Sequence, residues 1–227
     1  ARLLYREWFV HLRFPGHENT RIIDGVPEGW ENKKLKEIIN IFQGYAFKSN
    51  LFSEKKTENI VVTMGNFKES GGLKFENNVK YIDKRNYKEK YELQAHDLLM
   101  VLSDVTRDGR IIGNVGFVPK DEFTYILNQR IAKLEVPNDK LKKYFYCYFN
   151  SKSFKNYCLS RANSVTVLNL KNSHLYEHNL LIPSKSVLNE FISNIDPILQ
   201  QIQTLVKYNK KLSQARDLLL PRLMNGE

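Results

Sequence analysis

The chain has 227 residues, of which 42% are hydrophobic and 12% aromatic, so it can form a substantial core and does not belong to the class of disordered polymers. Its net charge of +10 favours a polyanionic partner, with nucleic acid ahead of a membrane surface. No apolar run approaches the roughly 18 residues of a membrane span, no signal-peptide pattern is present, and Cys147 and Cys158 are expected to be free thiols in a reducing cytoplasm.

The first residues have a helical pattern that is followed by a linker. Leu3, Leu4 and Trp8 recur at helical spacing with no N-cap residue before them. We therefore expect the chain to begin inside a helix of a longer protein. Residues 13–30 contain two prolines and three glycines, and that density of residues that break regular structure predicts a linker.

From about residue 31 to residue 135, short β-type runs alternate with turns. The candidate strands are 59–67, 79–82, 97–103, 111–118 and 126–136. Turn signals lie between them at "SGGL" (70–73) and "TRDGR" (106–110), where Asp-Gly tolerates a positive φ. This pattern predicts a mainly β region with irregular strands. The aromatic-rich stretch 139–161 then predicts one or two helices.

The last forty residues carry a heptad pattern counted from Leu188. Its a and d positions predict a helix-pairing seam that includes Ile195, Ile198, Ile202, Leu205, Asn209, Leu212 and Leu219. A seam of about 30 residues spans about 45 Å, longer than a small β-rich domain is wide, so we expect a partner beyond that domain. The alternative is a helix packed on its own domain. We expect a restart or kink at Asp196-Pro197, and an end at Pro221 and Gly226.

Taken together in this order, the segments resemble the specificity (S) subunit of type I restriction-modification systems. The entry "GVPEGW" (25–30) is followed by "VVTMGNFKESGGL" (61–73), "HDLLMVLSDVTRDGRIIGNVGFVP" (96–119) and "LNQRIAKL" (127–134). The exit "NSVTVLNLKNSHL" (163–175) precedes "LLIPS" (180–184), and "ARDLLLPRLMNGE" resembles the usual C-terminus of the family. The order and spacing of these motifs carry the resemblance, which covers nearly the whole chain.

The resemblance implies an α+β fold in which a mainly β target recognition domain precedes a long coiled-coil-like helix. Family members have two recognition domains, each followed by a long helix, and the helices pair antiparallel and set the distance between two DNA half-sites. The opening "ARLLYREWF" would then be the end of an upstream helix equivalent to "ARDLLLPRL". We expect residues 1–25 to hold that helix end and a linker, 26–184 the recognition domain, and 185–227 the spacer helix. The chain would be a C-terminal half, or a natural half-subunit that dimerises.

The resemblance also implies partners. Double-stranded DNA, methyltransferase (M) subunits and restriction (R) subunits are expected, together with a second recognition half in cis or as a homodimer, and no membrane. S-adenosylmethionine would belong to the M subunits, and ATP and Mg²⁺ to the R subunits. The expected location is the cytoplasm.

Motifs for catalysis are not found in the sequence. The methyltransferase loop for a flipped base, a dinucleotide fingerprint and a P-loop are all missing. His174 and His178 are spaced i, i+4, but zinc normally takes three or four protein ligands, and two ordinary histidines are the favoured interpretation. We therefore expect a non-catalytic chain with no metal and no cofactor of its own.

The candidate DNA contacts lie in turns and polar segments. Arg107 and Arg110 flank a turn from which a guanidinium can reach guanine in the major groove, although the segment could equally well only shape a hairpin. For each of the other candidates a structural role is about as plausible as contact. These are Gln43, Tyr45, Lys48, Ser49, Asn66, Lys68, Thr106, Gln129, Arg130, Arg161, Asn163, Ser164 and Thr166.

The sequence thus predicts a DNA-sequence recognition subunit of a type I complex. One alternative is the specificity portion of a related type II (IIB/IIG-like) restriction-modification system. Another is a non-catalytic coiled-coil scaffold that does not bind DNA. An autonomous nuclease or methyltransferase is disfavoured by the missing motifs.

Overall fold

The computed structural model describes residues 1–76, 79–106, 108–162 and 167–224, with the backbone alone at 210, 222 and 223. The chain forms two compact units. One comprises Ala1–His17 with Lys185–Glu227, and the other comprises Glu18–Ser184. The second unit therefore begins at residue 18, within the stretch that the sequence assigned to a linker.

The α-helices are few and of very different lengths. In chain order they are α1 (Arg2–Tyr5), α2 (Asp139–Phe149), α3 (Lys152–Arg161), α4 (Asn172–Tyr176) and α5 (Lys185–Met224). A π-helical turn, Arg6–Val10, continues α1. None of the helices in the described part of the chain has the length and apolarity needed to cross a membrane.

The strands are short and all lie in the second unit. In chain order they are β1 (Ile22–Ile23), β2 (Val26–Pro27), β3 (Glu31–Lys34), β4 (Asn40–Gln43), β5 (Phe52–Ser53), β6 (Asn59–Val62), β7 (Lys80–Ile82), β8 (Glu92–Leu93), β9 (Leu98–Val101), β10 (Ser103–Asp104), β11 (Val115–Phe117), β12 (Thr124–Leu127), β13 (Ile131–Glu135), β14 (Leu168–Asn169) and β15 (Asn179–Ile182). These strands and helices confirm the predicted α+β class.

Two sheets form the centre of the second unit. One has the order β11-β9-β13-β4, and its neighbours are all antiparallel. The other has the order β5-β7-β6-β12-β8, in which β12 and β6 run parallel. The run Leu98–Val101 is buried along its whole length, as its uninterrupted apolar sequence requires.

The predicted run 126–136 is not one strand. Thr124–Leu127 pairs in the five-stranded sheet and Ile131–Glu135 pairs in the four-stranded sheet, so the chain passes from one sheet to the other through residues 128–130. Apolar residues on both sides of the break hide it from a pattern of alternation. The predicted strand 111–118 is likewise shorter, because pairing begins only at Val115.

The aromatic stretch forms two helices with separate caps. The side chain of Asn138 accepts a hydrogen bond from the Leu141 amide, and the side chain of Ser151 accepts one from the Phe154 amide. Such side chains satisfy amides that a helix start leaves unpaired. Phe149 and Phe154, on either side of the break, pack with ring centroids 4.7 Å apart.

In the first unit, aromatic residues of the N-terminal segment pack on α5. The ring of Phe191 lies 4.7 Å from that of Phe9 and 5.8 Å from that of Trp8, and Phe191 is fully buried. The helix continues through Pro197 and Pro221. The predicted restart at Asp196-Pro197 and the predicted end at Pro221 are therefore wrong, and the alternative of a kink at Asp196-Pro197 stays a prediction. The φ of proline is compatible with a helix, but within one its nitrogen donates no hydrogen bond and its ring crowds the carbonyl four residues earlier. Gly226 lies outside the described residues.

Candidate nucleic-acid interface

Several predicted DNA contacts converge at one edge of the four-stranded sheet. Because β13 is antiparallel to both β4 and β9, the end of β4, the end of β9 and the start of β13 lie side by side, with Ala132 opposite Gln43 and Ile131 opposite Val101. The described residues next to these strand ends form what we call the loop edge, comprising 43–45, 102–106, 108–111 and 128–130 together with 167–169.

The three loops that adjoin these strand ends are numbered in chain order: the first follows β4, the second follows β9, and the third is the turn 128–130. Hydrogen bonds hold the first loop against the third. The Tyr45 amide donates to the Leu127 carbonyl at 3.2 Å, and the Gln129 amide donates to the Tyr45 carbonyl at 2.8 Å. The Tyr45 ring is 49% exposed and rests against Phe47, with ring centroids 5.1 Å apart. An amphipathic ring is thus presented on a fixed backbone.

The turn 128–130 is stabilised from within and presents two long polar side chains. The side chain of Asn128 accepts a hydrogen bond from the Gln129 amide at 2.9 Å, and the Arg130 carbonyl accepts one from the Leu102 amide at 2.7 Å. Arg130 has a φ of 68°, a conformation that costs a residue other than glycine about 1–2 kcal/mol. Gln129 and Arg130 are exposed, so the strained turn directs an amide and a guanidinium to solvent.

Asp104 organises the second loop. Its buried carboxylate accepts hydrogen bonds from the Thr106 amide at 2.8 Å, the Thr106 hydroxyl at 2.7 Å and the Ile111 amide at 2.6 Å. The Thr106 hydroxyl in turn accepts one from the Arg110 amide at 3.2 Å. Both ends of the loop are therefore tied to one carboxylate, and Thr106 is itself part of this bracing.

Arg110 is exposed at the rim of this loop. Its guanidinium lies 3.5 Å from the Glu69 carboxylate and 3.6 Å from the Asp108 carboxylate. Exposed pairs of this kind contribute little stability. They leave the guanidinium able to exchange partners for a base edge or a phosphate.

A short strand pair brings the segment after α3 to the same edge. Ser103 and Asp104 of β10 pair with Asn169 and Leu168 of β14, and the Ser103 hydroxyl donates to the Asn169 side chain at 2.6 Å. The Gln43 side chain donates to that of Asn172 at 3.0 Å. These contacts tie the C-terminal segment to the loop edge.

The loop edge unites six of the predicted contacts. They are Gln43, Tyr45, Thr106, Arg110, Gln129 and Arg130. Lys48 and Ser49 are exposed in a 3-10 turn that follows Phe47. Lys68 adjoins Glu69, the ion-pair partner of Arg110. The predicted contacts outside the described residues are Arg107, Asn163, Ser164 and Thr166.

Arg161, at the end of α3, is exposed, and its guanidinium lies 5.7 Å from the centroid of the Tyr157 ring. It lines a cavity of about 440 Å³ that His174 and His178 also line. Nothing in the geometry of the described residues joins Arg161 to the six residues of the loop edge.

The structure corrects the assignment of Asn66. This residue is only 1% exposed. Its side-chain oxygen accepts from the Thr63 amide and hydroxyl, and its side-chain nitrogen donates to the Lys74 carbonyl. Because these internal bonds occupy a buried amide, Asn66 shapes its turn and is not available to DNA.

Val105 was missed by the sequence analysis. It follows Asp104 on the loop edge and is 61% exposed. An apolar side chain at such a place suits the methyl group of thymine. The signal was the single apolar residue within the polar turn "DVTRDG", where a β-branched residue has no core to fill.

His178, the second residue of the histidine pair, packs among aromatic side chains. No group of three or more His, Cys, Asp and Glu side chains in the described part of the chain could hold an ion. The His178 Nε2 atom lies 2.5 Å from the Tyr148 hydroxyl, and its ring centroid lies 4.0 Å from that of Tyr157. Burial lowers the pKa of His178 to about 4, so the imidazole is neutral at pH 7.

The predicted helix-pairing positions differ in exposure along α5. Ile195 is fully buried. The positions beyond it are exposed, with Ile198 at 41%, rising to 66% at Leu212; the other exposed positions are Ile202, Leu205, Asn209 and Leu219. In the described residues this apolar stripe is therefore open to a partner for most of its length.

The described residues thus combine a β-rich unit that has a polar loop edge with a long helix that has an exposed apolar stripe. The family described as the type I restriction modification DNA specificity domain matches residues 27–214. This chain belongs to that family.

Two curated relatives are similar over different lengths. The specificity subunit of the type I restriction enzyme HindI from Haemophilus influenzae is 30% identical over 117 residues, which cover 51% of this chain and 26% of the relative. The specificity subunit of MjaIX from Methanocaldococcus jannaschii is 21% identical over 228 residues, which cover 99% of this chain and 51% of the relative. This chain spans about half the length of these relatives or less.

Solved structures share the fold. The S subunit of a type I restriction-modification system from M. genitalium matches with a TM-score of 0.51 and 17% identity, over 85% of this chain and 45% of that one. The HsdS subunit from Thermoanaerobacter tengcongensis matches with a TM-score of 0.52 and 15% identity, over 91% of this chain and 44% of that one. These similarities support the α+β architecture.

Proposed function

We propose that this chain reads one half-site of double-stranded DNA for a type I restriction-modification complex. The observation that carries the proposal is the convergence of four distant segments at the loop edge. Gln43, Gln129 and Arg110 there supply amide and guanidinium groups, the side chains that suit adenine and guanine in the major groove. The net charge of +10 supplies the attraction for phosphates.

The loop edge is suited to reading because its backbone is fixed before DNA arrives. Asp104 ties both ends of the second loop, and the turn at 128–130 is held by one internal hydrogen bond and by one from the Leu102 amide. Fixed loops lose little conformational entropy on binding, so more of the interaction free energy remains for discrimination between sequences.

The partners form the second part of the proposal. The exposed stripe on α5 would pair with the helix of a second recognition half, in cis or in a homodimer, and the helix pair would dock M subunits. S-adenosylmethionine would bind to the M subunits, and ATP and Mg²⁺ to R subunits. The chain itself would act without catalysis or cofactor, in the cytoplasm. The family membership favours this reading over a related type II system or a scaffold that does not bind DNA.

The test is a titration of the assembled complex with labelled duplexes. Sequencing of methylated sites in cells that carry the complete system supplies the cognate duplex, and a random duplex serves for comparison at several salt concentrations. Specific binding is typically about 10³–10⁷-fold tighter than non-specific binding. The control is Lys120→Ala, an exposed lysine beyond β11 at the opposite edge of the sheet, which should leave the ratio unchanged. Equal affinity for both duplexes would contradict the proposal.

A further inference from the structure

A half-buried lysine on α3, Lys155, donates hydrogen bonds to the backbone of the second loop. The Lys155 ammonium donates hydrogen bonds to the Arg110 carbonyl at 2.8 Å, to the Ile112 carbonyl at 2.9 Å and to the side-chain oxygen of Asn114 at 2.9 Å. An ammonium group has three protons to donate. All three are used within the protein, so the group is committed to the loop.

The same lysine connects two loops. Asn114 is 5% exposed, and its side-chain nitrogen donates to the Lys68 carbonyl at 2.9 Å and to the Glu69 carbonyl at 3.1 Å. Lys155 therefore fixes residues 110–114 directly and the turn at 68–69 through one amide. Asp104 restrains the opposite side of the loop at Thr106 and Ile111.

The backbone of the second loop packs closely against α3. A Cβ atom at Gly113 would lie 2.4 Å from the Cys158 sulfur, and one at Gly109 would lie 2.4 Å from a Leu159 methyl carbon. Both glycines have positive φ. The backbone therefore lies directly on the helix that carries Lys155.

We propose that Lys155 is a positioning residue for DNA reading: it touches no base, and it sets sequence discrimination by fixing the loop residues that carry Arg110. This inference rests on the proposed function. Removal of the Lys155 ammonium should impair discrimination between DNA sequences more than overall affinity for DNA. The reason is that attraction to phosphates depends on charges elsewhere on the surface.

The protonation state of Lys155 provides a test in the unaltered protein. Burial lowers its pKa to about 8, although Cys158, Asp104 and Glu69 act in the opposite direction. Above that pH a neutral amine has only two N–H donors for three acceptors, so the loop loses a restraint. The charged and titratable groups that act on Lys155 are Cys158, Asp104 and Glu69, and burial raises the pKa of the Cys158 thiol to about 12.

The experiment measures the ratio of cognate to random duplex affinity from pH 7 to pH 9.5 for the assembled complex. The preferred duplex is obtained by enrichment from a randomised duplex library. For the parent we expect the ratio to fall with a midpoint near pH 8. For Lys155→Met we expect a low ratio at every pH, reduced at pH 7 by about 5- to 150-fold, the loss of one good base contact. Lys155→Arg keeps charge and donors and should retain the ratio at pH 9.5.

The control is Lys152→Met, one turn earlier on α3, where the lysine is exposed. It removes the same charge and should leave both the ratio and its pH profile as in the parent. Thermal unfolding identifies any variant that is not folded. The pH dependence of the parent's affinity ratio tests the inference without any substitution. Suppose that the parent prefers the cognate duplex but its affinity ratio does not change with pH, and that Lys155→Met has the same ratio as the parent. That result would overturn this inference and leave the proposed function standing. A parent that discriminates at no pH would overturn the proposed function as well.

Discussion

Gly44 lies so close to Asn128 that a Cβ atom at position 44 would be 2.1 Å from the Asn128 carbonyl oxygen. The contact joins the end of β4 to the turn between β12 and β13, and with it two of the three sheet-derived segments of the loop edge. A side chain is excluded here because the obstacle is backbone, which cannot rotate away.

Gly44→Ala should therefore destabilise the protein and disturb the loop edge. Overpacking typically costs about 1–3 kcal/mol, and we expect at least about 2 kcal/mol here, or a Tm lower by about 4–8 °C. Thermal unfolding measures this. Gly65→Ala is the control, because its nearest non-neighbouring atom would be 3.7 Å away. Equal Tm values for the two variants would show that the segments do not meet as described.

Arg110→Ala should weaken cognate binding more than random binding. An arginine that reads a base pair contributes about 1–3 kcal/mol of discrimination, whereas one that contacts phosphate alone weakens all sequences and lowers the salt slope by about one. Arg110→Lys keeps the charge but not the planar fork, so it separates these roles in the same titration. We expect Arg107→Ala to behave as Arg110→Ala does. If all three variants bind cognate and random duplexes as the parent does, the second loop has a structural role and does not read DNA.

Leu205→Asp and Leu212→Asp should weaken assembly while leaving the unpaired chain folded. Their side chains are 53% and 66% exposed, so a carboxylate is hydrated until a partner buries it, where an unpaired charge is costly. Sedimentation should show association weakened by about tenfold or more. Gln214→Asp places the same charge on the face of the helix opposite the a and d positions, so this variant should assemble normally. Unchanged assembly of the leucine variants would mean that the stripe is not the pairing surface.

Acid should destabilise the second unit through His178. Because the folded pKa is about 4 and the unfolded value is near 6.5, the unfolded state binds the proton more readily between these values. Stability from the neutral imidazole is complete above about pH 6.5 and is lost as the pH falls towards 4. His178→Gln retains an acceptor for the Tyr148 hydroxyl and does not titrate. The difference in Tm between parent and variant should therefore change between about pH 4 and pH 6.5. A constant difference would contradict the lowered pKa of His178.

Local signals predicted much of the fold. The apolar run at 98–101, the capped helices α2 and α3 and the long α5 all follow from residues that interact with near neighbours in sequence. The two-sheet arrangement did not follow, because β12 pairs in parallel with β6, more than sixty residues away. Register across such distances depends on the whole core rather than on any one segment.

The candidate site was predictable in residue type and not in detail. Asn66 and Gln129 are both polar residues near turns, and only the burial of Asn66 separates a structural amide from a presented one. Lys155 has the sequence context of a solvated helix residue, and its role depends on a loop 41–45 residues away.

We expect the unit Glu18–Ser184 to determine one half of the recognised DNA sequence. The most direct measurement exchanges residues 18–184 for the equivalent domain of a specificity subunit with a different target, in cells that carry the complete system, and sequences the methylated sites. We expect one half-site to change to that of the donor, while the other half-site and the spacing between the two stay the same. An unchanged half-site in cells that still methylate would contradict it.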